Sequence, residues 1–135
     1  MGVVIDTSVI IAAERGKIDF AQLETDQQIY ISTITVTELL VGVSRANTED
    51  RRIKRSAFVE HIIASIAALP FSVEEARIYA QILGNLFAEG ITLGTHDMII
   101  AASAIANGYS VLTMNGRDFK RIKGLEVLLT EDKWG

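Results

Sequence analysis

Short apolar runs, each punctuated by an acid or a hydroxyl residue, organise this chain. Val3-Val4-Ile5 is β-rich and ends at Asp6, the pattern of a buried strand. Asp6-Thr7-Ser8 supplies cap chemistry for a helix from Val9 to about Glu14, which Gly16 breaks. Ile18, Phe20, Ala21 and Leu23 suggest a second short helix, and Ile29-Tyr30-Ile31 the next strand. Thr35-Val36-Thr37-Glu38 has the form of a capping box, a hydroxyl followed three residues on by a carboxylate. Its helix begins there or near Ile34 and runs to about Ala46. A polar stretch, Asn47 to Asp50, leads into a long helix over about Arg51 to Ala67, with Phe58, Ile62, Ile63 and Ile66 on its apolar face. Leu69-Pro70-Phe71 holds the one proline and is a short edge strand at best. Ser72 to Glu75 opens a further helix, in which Ala76, Tyr79, Ala80, Leu83 and Phe87 show 3.6-residue spacing until Gly90. Asp97 to Asn107 is apolar on nearly every side, which predicts a central buried helix capped by Gly108. Ser110 to Thr113 reads as a strand, Asn115 to Arg121 as a short helix, and Val127 to Leu129 as the last strand.

Strands that alternate with helices call for a mostly parallel sheet covered on both faces, an α/β sandwich with about four to five short strands. A length of 135 residues fits one domain, 1–135, without internal repeat or linker. Hydrophobic residues make up 49% of the chain and charged residues 22%, so an ordinary globular core is within reach. There is no cysteine, which excludes disulfides, thiolate zinc and cysteine nucleophiles. Only His61 and His96 offer imidazole, so a metal here would be held mainly by oxygen and would be a hard cation. Asp6 interrupts the apolar start and no basic region precedes it, unlike a signal peptide. No apolar run approaches the ~18 residues of a membrane span. A soluble, cytoplasmic protein with no membrane partner is the expectation.

The formal charge of −4 argues weakly against nucleic acid, yet the charge is uneven. Arg45, Arg51, Arg52, Lys54 and Arg55 outnumber Glu49 and Asp50, and Arg117, Lys120, Arg121 and Lys123 outnumber Asp118. These are either solvated helix faces, the commoner use of a charge run, or two phosphate-binding patches. In open parallel sheets ligands bind beyond the carboxyl ends of the strands. Asp6 falls at such an end, Asn115 and Asp118 follow another, and Glu38 and Asp97 lie in the expected first turns of their helices. Each also has an ordinary use: Asp6, Asn115 and Asp118 as caps, Glu38 within a capping box, Asp97 as a complement to the helix dipole. If they converge, several carboxylates cannot all stay ionised without a cation, and Mg²⁺ with its retained waters resolves the repulsion.

Val3-Val4-Ile5-Asp6-Thr7-Ser8-Val9-Ile10 resembles the opening of PIN-domain proteins. Ser32 to Leu39 resembles the second motif of that family, with its glutamate at Glu38. Thr95-His96-Asp97-Met98-Ile99-Ile100-Ala101-Ala102 resembles the third, with its aspartate at Asp97. Leu112-Thr113-Met114-Asn115-Gly116-Arg117-Asp118-Phe119 resembles the fourth. The four motifs stand in order over nearly the whole chain, and its length and compactness are similar to VapC-type toxins.

The resemblance implies a PIN-like α/β/α sandwich and a metal-dependent endoribonuclease, the toxin of a toxin–antitoxin pair. It implies Mg²⁺, with Mn²⁺ as a substitute, held by Asp6, Glu38 and Asp97 directly or through water. Ser8 and Thr113 become supporting hydroxyls. The fourth position stays open: many relatives carry aspartate where this chain has Asn115, so either Asp118 fills the role or Asn115 gives a neutral oxygen. Arg45, Arg51, Arg52, Arg117 and Lys120 become candidate RNA contacts. A homodimer, a cognate antitoxin protein and an RNA substrate, tRNA or another structured RNA, are the implied partners. The alternative is a catalytically weak or inactive RNA-binding scaffold of the same fold. His96 directly precedes Asp97 and could sit near the scissile phosphate or metal, but is expected at the rim or in helix capping; His61 is expected as structural or exposed, and Tyr30 and Trp134 as packing residues rather than base-stacking ones. A dehalogenase-type phosphatase would want an acid where Ser8 stands. A glycine-rich P-loop and a Gly-x-Ser-x-Gly elbow are absent.

Overall fold

The computed structural model describes residues 2–23 and 27–134. Five strands form one sheet: β1 (Gly2–Ile5), β2 (Gln28–Ser32), β3 (Ala67–Leu69), β4 (Ser110–Thr113) and β5 (Val127–Leu129). Their order is β3-β2-β1-β4-β5, and every neighbouring pair is parallel. β1 and β4 are buried at all four positions, as central strands covered on both faces must be. β3 is an edge strand and ends one residue before Pro70, whose missing N–H would interrupt a ladder.

Alternate residues of the central strands feed two separate cores. Val4 and Val111 pack with Ile82, Leu86, Met98 and Ile100, from α5 (Val73–Ala88) and α6 (Thr95–Asn107). Val3, Ile5 and Leu112 pack with Val9, Ile10, Leu39, Val59 and Ile62. These come from α1 (Thr7–Glu14), α3 (Thr33–Ser44) and α4 (Glu49–Ser65). The expected sandwich is therefore present, with five strands. A short α2 (Phe20–Leu23) leads toward β2, and α7 (Thr130–Trp134), which the sequence did not suggest, follows β5.

Several local expectations are corrected. α3 is capped by Ser32, whose hydroxyl accepts from the Ile34 N–H at 3.2 Å, so Thr35 and Glu38 form no capping box. Glu38 consequently sits in the second turn. α4 is capped by Thr48 and lies two residues earlier than the apolar pattern suggested; Ile62 is fully buried while Ile63 is exposed. On α5 the inward face is Glu75, Ile82 and Leu86, with Ile78 and Tyr79 partly buried, whereas Leu83 and Phe87 point outward, Phe87 being 84% exposed. Asn115 to Arg121 contains only a 3-10 turn, Phe119–Arg121. Gly108 does close α6 in the left-handed conformation at φ 70°.

Candidate active site

The strand order reverses between β1 and β4. From β1 the chain crosses to β2 and β3 on one side, then returns to β4 on the other, so the segments leaving the two central strands diverge. Such a reversal leaves a crevice at the carboxyl edge of the sheet. Asp6 follows β1 directly, and its N–H extends the ladder to the Leu112 carbonyl at 2.9 Å.

Asp6 occupies the N-cap position of α1, but its carboxylate caps nothing. Oδ2 instead accepts from the Ser8 hydroxyl at 2.7 Å and the Thr113 hydroxyl at 2.8 Å, from opposite ends of the chain. Ser8 and Thr113 are thus supports of a carboxylate. The Met114 N–H donates to Ser8 Oγ at 3.3 Å and locks the start of the β4 exit loop to α1. Thr113 is fully buried and Asp6 nearly so.

Glu38 has a neighbour at each oxygen. Oε1 accepts from the Thr7 hydroxyl at 2.8 Å, and Oε2 lies 3.2 Å from His96 Nδ1. Thr7 Oγ1 is also 3.0 Å from the hydroxyl of Thr35, which is fully buried. Since Thr7 has one hydroxyl proton and gives it to Glu38, Thr35 is the donor in that pair.

Asp97, in the first turn of α6, receives no hydrogen bond from the described residues. Its carboxyl is pushed up from the ordinary aspartate range to about 6, first by burial, then by the negative charges of Asp6, Asp118 and Glu38; His96 opposes the rise. Four acids from four separate segments therefore share one electrostatic neighbourhood. The fourth is Asp118, half-buried before the 3-10 turn. Asn115 is exposed, and its Oδ1 is occupied by the Arg117 N–H at 3.2 Å. Gly116 lets this loop lie against β5: a Cβ there would stand 2.6 Å from Leu129 Cδ2.

The two basic clusters separate. Arg117 and Lys120 flank Asp118 and are exposed beside the crevice loop. Arg45, Arg51 and Arg52 sit at the far end of the α3–α4 hairpin. Arg45 ends α3 seven residues beyond Glu38, about 10 Å of helix away. Arg51 is bonded to Asn47 and Arg52 to Glu49. A groove of about 120 Å³ runs outward from Glu38 past Leu39 and Gly42, with Arg15 and Arg55 on its walls. Arg55 is held there by Glu14 at 3.5 Å and the Gly42 carbonyl at 3.2 Å. His61 is exposed on α4, and Tyr30 stacks on Tyr109 at 4.7 Å, a packing use. The Trp134 side chain lies outside the described residues.

Sequence reading did not single out Thr7, Thr35 or His96 as site residues. Thr7 was visible only as a hydroxyl beside Asp6 and His96 only as the neighbour of Asp97, and nothing in the sequence ties Thr35 to either.

Chemically, the crevice offers carboxylate oxygens with hydroxyl supports, and among the described residues His96 is the one potential cation in contact with them. That donor set suits a hard dication in kind. Among the described residues no three His, Asp or Glu side chains draw close enough to cage an ion by themselves. One or two carboxylates with retained waters is the mode that Mg²⁺ prefers, so the residues present fit such an ion.

Fold and site together define an all-parallel α/β protein with a carboxylate-lined crevice at its strand-order reversal. The sequence matches the PIN domain over residues 3–125. It is 54% identical over 133 residues to a Rickettsia felis protein named ribonuclease VapC1, covering 98% of this chain and 99% of that one. It is 48% identical over 128 residues to a Rickettsia bellii protein named ribonuclease VapC, covering 95% and 96%. The fold superposes on the crystal structure of VapBC2 from Rickettsia felis, bound to a DNA fragment from its promoter, with a TM-score of 0.85. That match has 25% identity and covers 96% of this chain and 98% of that one. The chain belongs to the PIN-domain family, in its VapC group.

Proposed function

We propose that the protein is a divalent-cation-dependent endoribonuclease that hydrolyses RNA phosphodiester bonds as the toxin of a toxin–antitoxin pair. The observation that carries this reading is the gathering of Asp6, Glu38, Asp97 and Asp118 at one crevice, with Asp97 pushed up to about 6 by burial and then by the charges of the other three. The relatives named ribonucleases align over nearly the full chain, which supports the same activity here.

Asp6 and Asp97 would be direct cation ligands, since Asp6 Oδ1 and both Asp97 oxygens accept nothing from the described residues. Glu38 and Asp118 complete the negative lining. Mg²⁺, or Mn²⁺ in its place, supplies charge stabilisation at the phosphate and a water of lowered pKa. Ser8 and Thr113 keep the Asp6 carboxylate in one rotamer, and Thr7 holds Glu38 at one oxygen. Arg117 and Lys120, beside the crevice, hold the RNA backbone through its phosphates. Arg45, Arg51 and Arg52 are too far along the hairpin to act at the cleaved bond and serve, at most, a longer RNA. Asn115 Oδ1, which accepts from the Arg117 N–H, is a neutral oxygen on the crevice loop and adds no charge. Because Asp118 supplies the fourth acid, the inactive-scaffold reading loses the absence on which it rested.

An antitoxin protein and a second copy of the chain are the proposed partners. The solved relative is a VapBC assembly. Large apolar side chains are left exposed on several helices, among them Leu40 and Val41 on α3, Ile53 on α4, and Leu83 and Phe87 on α5. No helix of the described residues is long and apolar enough to cross a membrane. We place the protein in the cytoplasm, where its RNA substrates are.

The test is RNA cleavage by purified, antitoxin-free protein with Mg²⁺, Mn²⁺ or chelator, beside Asp6→Asn. Cleavage that requires both metal and Asp6 is expected. Metal-independent cleavage, or an Asp6→Asn protein as active as the parent, would remove the proposal.

A further inference from the structure

We propose that Thr35 is a positioning residue of this site: its buried hydroxyl aims the Thr7 hydroxyl, and through it the Glu38 carboxylate, at the crevice. The inference deepens the nuclease reading above and rests on it only for its effect on cleavage. The start of α3 is rich in hydroxyl residues, and the structure gives them different tasks. Ser32 caps the helix through the Ile34 N–H. Thr37 bonds back to the Thr33 carbonyl at 3.1 Å, a common use of a threonine inside a helix. Thr35 does neither. It is fully buried, and among the described residues its hydroxyl meets only Thr7 Oγ1, 3.0 Å away on α1 and 28 residues earlier.

Glu38 stands one turn further along the same face of α3, and the same Thr7 oxygen lies 2.8 Å from its Oε1. One hydroxyl carries one proton, and the carboxylate is both the nearer and the stronger acceptor. The proton between the two threonines is then that of Thr35, and the bonds run one way, from Thr35 to Thr7 to Glu38. A buried hydroxyl proton without an acceptor is costly, so Thr35 has no use for its own except Thr7. Thr7, once its oxygen receives that proton, has one direction left for its own, toward Glu38. Successive bonds of this kind polarise and strengthen one another. The relay begins in the core, away from water, and ends on a crevice acid. Valine keeps the shape of threonine without the hydroxyl, and serine keeps the hydroxyl without the methyl, so the pair separates the bond from the packing.

The test is a double-mutant cycle, Thr7→Val, Thr35→Val and the two combined, with Thr35→Ser as the conservative variant. The readouts are hydroxyl-proton NMR and the melting midpoint of the metal-free protein, Mn²⁺ affinity by calorimetry, and RNA cleavage. In wild type both hydroxyl protons should be protected from exchange with water, and Thr35→Val should release that of Thr7. Thr35→Val should weaken Mn²⁺ binding and cleavage by about tenfold, the lower end of what partners behind the ligands of a metal site contribute. Thr35→Ser should recover most of both. The combined variant should bind Mn²⁺ no more weakly than Thr7→Val alone, because a relay cut twice loses nothing more. Its midpoint should lie above that of Thr7→Val, in which the Thr35 proton is left without an acceptor. Losses that add across the cycle overturn the inference, as does a midpoint that the second substitution lowers further. So does a Thr35→Val protein within about twofold of wild type in both binding and cleavage. Wild type that cuts no RNA, with or without Mn²⁺ binding, would defeat the proposed activity instead, while the NMR and midpoint arms still decide the relay.

Discussion

Asp97 concentrates the electrostatic cost of the empty crevice. An unfolded aspartate titrates near 3.9, whereas Asp97 in the fold titrates at about 6. Between those values the folded state keeps a proton that the unfolded state has lost. Stability therefore falls as pH rises from about 4 to about 6 and stays lower above that window. Asp97→Asn removes the effect. In chelator at about pH 7 the variant should be more stable than the parent by on the order of 1–2 kcal/mol, with allowance for solvent screening of a half-buried group. Near pH 4 the two should melt together, and at neither pH should the variant cleave RNA. A metal-free variant less stable than the parent at neutral pH would contradict the repulsion argument. Sequence alone could name Asp6, Glu38 and Asp97, because each sits at a strand end or near a helix start. It could not separate a cap from a ligand. That distinction lies in which atom the carboxylate meets: the Asp6 oxygen found two hydroxyls, one of them 107 residues away, rather than the N–H groups of its own helix.

For helices, periodicity gave existence and type but not always the inward face. α5 carries two apolar stripes, and the one starting at Ala76 looked regular enough to be the core side. The buried stripe, Ile78, Ile82 and Leu86, is displaced by one residue, a rotation of about 100°. What decides between them is the packing of α5 on α6, an interaction between segments that a single helix pattern does not contain. The expected consequence is asymmetric. Leu86→Ala should cost about 2–5 kcal/mol, the range for a fully buried leucine, while Leu83→Ala in the isolated monomer should stay within about 0.5 kcal/mol. Chemical denaturation of both variants checks this, and equal losses would restore the other face. The start of α3 taught the same lesson: Ser32 ends β2 and caps the helix at once, so the hydroxyl-rich run that follows was free for other work. Thr35 took a place in the buried network instead.

At the scale of the molecule, five parallel strands bring four distant segments to one edge, and the alternation of short apolar runs with helices was enough to foresee that. The order of the strands was not legible, since nothing in β4 says that it returns beside β1. Because a cation relieves the repulsion only in the folded state, it should stabilise that state by linkage. At about 100 times its dissociation constant Mg²⁺ should add ~2.7 kcal/mol, seen as an upward shift of the melting midpoint that Asp6→Asn largely abolishes. An unchanged midpoint in the parent would argue against a built cation site. The pairing of β1 with β4 has a further consequence, in time. Asp6 and its neighbour Ser8 are made well before the second hydroxyl that holds the carboxylate, which comes 107 residues after Asp6. At ~5–20 residues per second a ribosome takes roughly 5–20 s to cover that distance. Throughout that interval the growing chain, tethered to the ribosome, has Asp6 with only one of its two hydroxyl supports. On the proposed function, a crevice assembled in this order is not complete until Thr113 has been made, and chains abandoned before it never arm at all.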